Sequence, residues 1–383
     1  MQTEFKFTFD NYTSGVLITE ELPSINEIRS KFSIGDSAGN SPGAGTLMVC
    51  DANTEALARK IRDAGKEKLL VLEANEESKN WDTVEKILRC GRDAGLGRDG
   101  LFLAIGGGLV CDLTAFAASV YMRGAKLCLV STSLLGMVDA SLGGKTGINL
   151  FGLKNLAGSF YPAAQIFLPL AALDTLPERE WKSGLAELIK TAILDSDEFL
   201  EETKKLISFI GRNEERKNPN CRNSLGVCIS RAISYKGNIV EADPRETGTE
   251  RALLNLGHSF GHALEAAIGL GKLNHGEAVA WGLSRACELG LVLGLTPPGR
   301  AEKIMEILTI CGFKTRAPHP LAKSTQAIID AMKGDKKQQA GRQRFVVPAA
   351  KSARIVSSEE FPLLNGKGGE ELIRKIINGE YKL

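Results

Sequence analysis

The chain has 383 residues, of which 43% are hydrophobic and 25% charged, and its 48 basic and 46 acidic residues leave a formal net charge of +2. This is globular composition with room for two domains and a large core. The near balance, without a basic block or a basic amphipathic helix, argues against nucleic acid or a membrane surface as partner and leaves small molecules. No apolar run reaches the roughly 18 residues that a bilayer crossing needs. Glu4, Lys6 and Asp10 put charge where a secretory signal would be apolar, and the cysteines, Cys50, Cys90, Cys111, Cys128, Cys221, Cys228, Cys287 and Cys311, form no C-x-x-C pair. A soluble, reduced, cytoplasmic protein is expected.

In chain order, short apolar runs at 46–51, 68–73, 101–105, 126–130 and near 165–168 alternate with helical stretches, the pattern of a buried parallel sheet. Gly106, Gly107 and Gly108 follow the third run and open into a helical 109–122. Backbone N–H groups at such a helix start can receive the phosphates of a dinucleotide, or the glycines simply make a tight turn. The G-x-G-x-x-G fingerprint is absent, and the acidic Glu73 and Glu76 lie upstream of the glycines. The segment 139–149 contains Gly-Lys-Thr, but Asp139 stands where a P-loop needs glycine. It reads as a flexible loop joining the Asp139 carboxylate and the Lys145 ammonium, with Lys154 and Asn155 following, charges that suit a polyhydroxylated anion.

From Pro177 and Glu178 onward, long amphipathic segments predict a helical half to about residue 333. Breaks fall at 296–299 and in the polar 211–222, read as an exposed loop, and a small hairpin is expected from 344–347 and 353–356. The expected division is an α/β domain over 1–175 and a helical domain over 176–383. Glu187 and Lys190 lie one helical turn apart among apolar neighbours and point inward, although such a pair taken alone is more often a solvated surface pair.

Three of the four histidines fall between positions 258 and 275. On a continuous helix Arg251, Asn255, His258 and His262 step by four, three and four residues and share one face. His258 and His262 there are either satisfied interior histidines or metal ligands. Gly257 and Gly261, unfavourable in a helix, suggest that something closely approaches this backbone. A catalytic zinc takes three protein ligands and keeps a fourth position open, which makes Glu187 the candidate third partner.

The ordered set Gly106-Gly-Gly-Leu-Val-Cys-Asp112, Tyr121-Met-Arg-Gly124, Val138-Asp-Ala-Ser-Leu-Gly-Gly-Lys-Thr-Gly-Ile-Asn149, Gly184-Leu-Ala-Glu-Leu-Ile-Lys190, Leu254-Asn-Leu-Gly-His-Ser-Phe-Gly-His262 and His275-Gly-Glu-Ala-Val-Ala280 resembles 3-dehydroquinate synthase, of the sugar-phosphate cyclase superfamily, over about residues 70–348. The resemblance implies a Rossmann-like nucleotide-binding α/β domain, a helical metal-binding domain and an active site in the cleft between them. It implies zinc, with cobalt as a substitute, on Glu187, His258 and His275, and makes His262 a phosphate contact. It sets NAD against Glu76, Lys79, Gly107, Gly108, Asp112, Thr132, Ser133 and Thr175, with Lys145 and Lys154 beside both ligands. Substrate groups fall to Asp139, Lys145, Asn155, Lys190, Lys236, Arg251 and Asn255. Arg123 would reach a neighbouring subunit's site in a homodimer, and Lys336 or Lys337 would touch phosphate.

The implied reaction converts 3-deoxy-D-arabino-heptulosonate 7-phosphate into 3-dehydroquinate and phosphate, in the shikimate pathway to aromatic amino acids. NAD oxidises transiently, phosphate is eliminated, hydride returns and an intramolecular aldol step closes the ring. This chain departs from the family pattern at Ala74 and Asn75, at Cys111, and at Ser131 and Ser133. Competing readings are a secondary-metabolic cyclase of the amino-dehydroquinate or valiolone type, and a metal- and NAD-dependent polyol dehydrogenase.

Overall fold

The computed structural model describes residues 2–32, 45–62, 67–73, 75–210, 215–269, 271–338 and 344–381, the side chains of 334–338 excepted. The chain divides into two compact units, Met1–Glu180 with Ile229–Arg245, and Trp181–Cys228 with Glu246–Leu383.

The first unit is built on a seven-stranded sheet of order β1-β2-β9-β6-β5-β3-β4. The five expected strands are β3 (Thr46–Asp51), β4 (Lys68–Leu72), β5 (Leu101–Gly106), β6 (Lys126–Ser131) and β9 (Gln165–Pro169). They pair in parallel, and all but the edge strand β4 carry near-continuous burial, as strands covered on both faces require. Helices α1 (Ile25–Ser30), α2 (Glu55–Ile61), α3 (Trp81–Asp93) and α4 (Gly108–Val120) belong to this unit. Two hairpins were not anticipated. β1 (Thr3–Phe9) pairs antiparallel with β2 (Tyr12–Thr19), which adds in parallel to β9. The alternation of Phe5, Phe7 and Phe9 was the period-two sign of this edge strand. The second, β7 (Lys145–Leu150) with β8 (Leu153–Phe160), replaces the expected flexible loop after a wide helical turn at Gly136–Ala140.

The second unit contains most of α5 (Glu178–Asp195), then α6 (Asp197–Ile210), α8 (His258–Ile268), α9 (His275–Val292), α10 (Pro298–Ile310), α11 (Thr325–Gln338), α12 (Gly366–Asn378) and the expected hairpin of β10 (Arg344–Pro348) and β11 (Ala353–Ser357). Its core joins Phe260, Leu264, Trp281, Leu289, Ile328, Phe345, Val356 and Ile376. Helix α7 (Pro219–Ala242) occupies 219–222, the end of the expected loop, with Pro219 in the first turn, where its missing N–H costs nothing. Residues 211–214 lie outside the described residues. From residue 229 onward α7 belongs to the first unit, where a Cβ on Gly237 would fall 2.0 Å from the Phe7 ring. The two units therefore do not divide the chain at a single point, as the 1–175 and 176–383 boundaries supposed. No helix among the described residues is long and apolar enough to cross a membrane.

Candidate functional site

The polar face expected on one continuous helix is interrupted. Arg251–Asn255 forms a 3-10 turn, Gly257 takes a left-handed φ of 78°, and α8 starts afresh at His258. The close approach implied by the glycines is that of α9. A Cβ on Gly282 would fall 2.0 Å from Gly257 O, and one on Gly261 would fall 2.9 Å from Ala278 O. Helix α9 is capped by Asn274, which shares a capping box with Glu277, so His275 is its first residue. Gly276 lets this end reach α5, since a Cβ there would lie 2.4 Å from Ser183 Cα.

Three helices thus converge their polar groups. Glu187 and Lys190 on α5 are 0% and 2% exposed, which excludes the solvated-surface reading of this pair. Glu187 Oε1 lies 3.5 Å from His258 Nε2 and 3.2 Å from His275 Nε2, while Oε2 lies 2.5 Å from Lys190 Nζ. Despite that ion pair, Oε2 accepts no aligned hydrogen bond and remains a buried carboxylate oxygen with lone pairs to offer. Each imidazole is oriented through its other nitrogen, His258 Nδ1 at 3.1 Å from Leu256 O and His275 Nδ1 at 3.8 Å from Glu265 Oε2. Such anchoring leaves both Nε2 atoms facing the carboxylate.

Charges around the trio are unevenly set. Burial would raise the Glu187 carboxyl, but Lys190, His258 and His275 hold it well below its ordinary value. Burial pushes His258 down to about 3, against the pull of Glu187. Burial opposes charge on His275 as well, yet the neighbouring Glu187 and Glu265 carboxylates outweigh it and lift this ring to about 9. An ionised carboxylate with two imidazole nitrogens is a set that can hold a divalent cation, and the donor atoms lie within 4.8 Å of one another. His262, exposed on α8, stands outside that trio and forms a second group with Glu265 and His275. Glu265 was missed in the sequence, although a lone carboxylate in the apolar Ala263-Leu-Glu-Ala-Ala-Ile268 run was the sign of it. Arg251 is buried, and Asn255 Nδ2 donates to Glu246 Oε1 at 3.1 Å.

In the first unit the glycines stand at the carboxyl end of β5. Gly107 caps α4, and Thr132 N donates to Gly106 O at 3.0 Å, so Thr132 and Ser133 flank the helix start. The carboxyl edge of a parallel sheet is where such folds bind ligands. Lys79 Nζ lies 2.6 Å from Asp112 Oδ2 and 2.5 Å from Asn155 Oδ1. Burial raises the Asp112 carboxyl, with Lys79 opposing. Asn149 Nδ2 donates to Glu76 Oε1 at 2.9 Å. Lys236 Nζ lies 2.5 Å from Asp139 Oδ1. Lys145 and Lys154 are exposed on the β7–β8 hairpin, and Thr175 is exposed with its hydroxyl donating to Ala172 O. Arg123 is exposed on a left-handed turn after α4, which ends at Val120 instead of running through Met122. The side chains of Lys336 and Lys337 lie outside the described residues.

The 2-epi-5-epi-valiolone synthase of Streptomyces hygroscopicus subsp. jinggangensis, with NAD+ and Zn2+ bound, matches with a TM-score of 0.78 at 24% identity over 99% of each chain. A 2-deoxy-scyllo-inosose synthase complexed with carbaglucose-6-phosphate, NAD+ and Co2+ matches with a TM-score of 0.78 at 22% identity, covering 98% of this chain and 99% of that one. At such identity both speak for the fold. The 3-dehydroquinate synthase of Acidithiobacillus ferrooxidans is 37% identical over 338 residues, 86% of this chain and 90% of its own. That of Synechococcus sp. is 38% identical over 306 residues, 78% of this chain and 79% of its own. The 3-dehydroquinate synthase N-terminal family model matches residues 69–183 and the C-terminal model residues 184–338. With both models in order across more than half of its length, the chain belongs to the 3-dehydroquinate synthase family.

Proposed function

We propose that the chain is an NAD- and metal-dependent 3-dehydroquinate synthase that converts 3-deoxy-D-arabino-heptulosonate 7-phosphate into 3-dehydroquinate and phosphate. The observation that carries this reading is the trio of buried Glu187 and partly buried His258 and His275 beside Lys190, in a chain of this family. Glu187, His258 and His275 would hold Zn2+ or Co2+. Gly107, Gly108, Thr132, Ser133, Asp112, Lys79, Glu76, Thr175 and, nearer the reacting end, Lys145 and Lys154 would hold NAD. Held there, the metal would supply Lewis-acid polarisation of the reacting hydroxyl, and NAD would supply reversible hydride uptake.

The side chains do the rest. Lys145, Lys236 and Arg251 supply cations for the substrate carboxylate, and Asp139 holds the Lys236 ammonium in place. Asn155, Lys190, Asn255, His262 and one of Lys336 and Lys337 supply donors to the phosphate and stabilise it as it leaves. Glu76, with two carboxylate oxygens, suits ribose hydroxyls. Arg123 would serve the site of a second copy in a homodimer. The pathway would be shikimate and the compartment the cytoplasm.

The test is phosphate release from 3-deoxy-D-arabino-heptulosonate 7-phosphate with zinc and catalytic NAD, run beside sedoheptulose 7-phosphate with absorbance followed for NADH. Release from the acid substrate alone, with 3-dehydroquinate formed and no NADH accumulating, is expected. Turnover of the neutral sugar alone would reassign the chain to a secondary-metabolic cyclase, and net NADH would make it a dehydrogenase.

A further inference from the structure

The β7–β8 hairpin contains an irregularity at a telling position. Its ladder runs regularly to Ile148 opposite Ala157, then resumes at Leu150 opposite Leu153. Asn149 on one strand and Lys154, Asn155 and Leu156 on the other are skipped. Bulges of this kind release backbone groups and re-aim side chains, and they concentrate next to functional sites.

Every hydrogen-bonding group of Asn149 described here is directed across the bulge or out of the hairpin. Its backbone N–H donates to Lys79 O at 2.7 Å. Its Nδ2 donates to Glu76 Oε1 at 2.9 Å, with Glu76 O at 3.3 Å. Its Oδ1 accepts from Asn155 N at 2.9 Å, in place of a ladder bond. Asn155 sits at a left-handed φ of 52°, a conformation asparagine tolerates better than most residues, and its Oδ1 accepts from Lys79 Nζ. The 76–79 turn is stapled separately by Asn75, whose side chain accepts from Ser78 N while Ser78 Oγ accepts from Asn75 N. The turn therefore carries its own capping hydrogen bonds, and Asn149 ties the hairpin to it.

We infer that Asn149 is a positioning residue for the nucleotide, a bracket that fixes the bulged hairpin to the 76–79 turn so that the Glu76 carboxylate and the Lys79 ammonium keep one geometry. The inference rests on the reading of Glu76 and Lys79 as nucleotide contacts. One Glu76 oxygen is engaged by Asn149, which leaves the other for a ribose hydroxyl. Because Asn155 is held through the same residue, the bracket also links the nucleotide side to a phosphate-side donor.

Asn149→Ala removes both side-chain arms. Asn149→Asp keeps the acceptor toward Asn155 N but turns a carboxylate on Glu76. Hydrogen exchange of the nucleotide-free protein should quicken about ten-fold or more in peptides covering 145–160 in the alanine variant, with the 75–80 peptide also affected in the aspartate variant. NAD affinity, read by calorimetry on the zinc-loaded protein, should weaken about ten-fold or more in both, the range expected when a hydrogen bond to a charged group is lost. In turnover the loss should fall on KM for NAD more than on kcat. Adding Glu76→Gln to Asn149→Asp restores a donor–acceptor pair in the reverse sense and should recover slow exchange. Unchanged exchange in both single variants would overturn the bracket. Faster exchange with wild-type NAD affinity would overturn the positioning role. A parallel Glu76→Ala titration separates the causes, because wild-type affinity there would mean that the nucleotide reading itself had failed.

Discussion

Substituting Glu187→Gln tests the metal centre most directly, because it removes a charge while nearly preserving volume. Glu187 and Lys190 are 0% and 2% exposed, with Oε2 and Nζ 2.5 Å apart. Breaking one partner of a buried pair costs about 3–5 kcal/mol, since the remaining charge stays desolvated. The metal-free variant should therefore be less stable by about 3 kcal/mol, the lower end, because the amide dipole still faces the Lys190 ammonium. Metal affinity should fall further. Losing a group that merely orients a ligand costs about 10–100-fold, so losing the anionic ligand itself should exceed about 100-fold. Urea denaturation of chelated protein and elemental analysis after dialysis measure the two effects. The double variant Glu187→Gln, Lys190→Met separates them, because replacing a buried pair by apolar and neutral groups is often close to neutral in stability. It should regain most of the stability and none of the metal. Wild-type metal content in Glu187→Gln would refute the ligand assignment, and wild-type stability of its metal-free form would refute the account of the buried pair.

His275→Ala should lose tightly held metal, whereas His262→Ala should retain it, and equal content in both by elemental analysis would break the trio apart. Gly282→Ala would force a Cβ to within 2.0 Å of Gly257 O, so a stability loss of about 1–3 kcal/mol from overpacking is expected, and an unchanged urea midpoint would contradict the close α8–α9 contact. Burial, opposed by Arg285 and by the Tyr381 N–H, pushes the Glu288 carboxyl up from 4.5 to about 7. The folded form then binds more protons than the unfolded one between those values, so this group's contribution to stability falls as pH rises through that window and is flat outside it. Glu288→Gln should flatten the corresponding slope in urea midpoints, and an identical slope in the variant would refute the assignment.

The buried parallel strands could be read directly from the sequence because a strand covered on both faces must be apolar throughout, as 101–105 and 127–130 are. The glycines before α4 and the inward-facing Glu187 were equally legible, since strand-to-helix punctuation and helical spacing are local properties. Family motifs in order added the ligand set and the cofactors as expectations. Tertiary structure decided what depends on residues far apart in sequence. A four-three-four spacing assumed one helix through Gly257, but the approach of Gly282 to Gly257 O favours a left-handed break there and a new helix at His258. The partnership of His275 with Glu265, the division of α7 between two units, and the release of Asn149 from its ladder all arise from pairings that no local periodicity encodes. Side-chain spacing reports which residues share a face, whereas convergence of three helices on Glu187 depends on how closely their backbones can approach, and that was set by Gly276, Gly261 and Gly282.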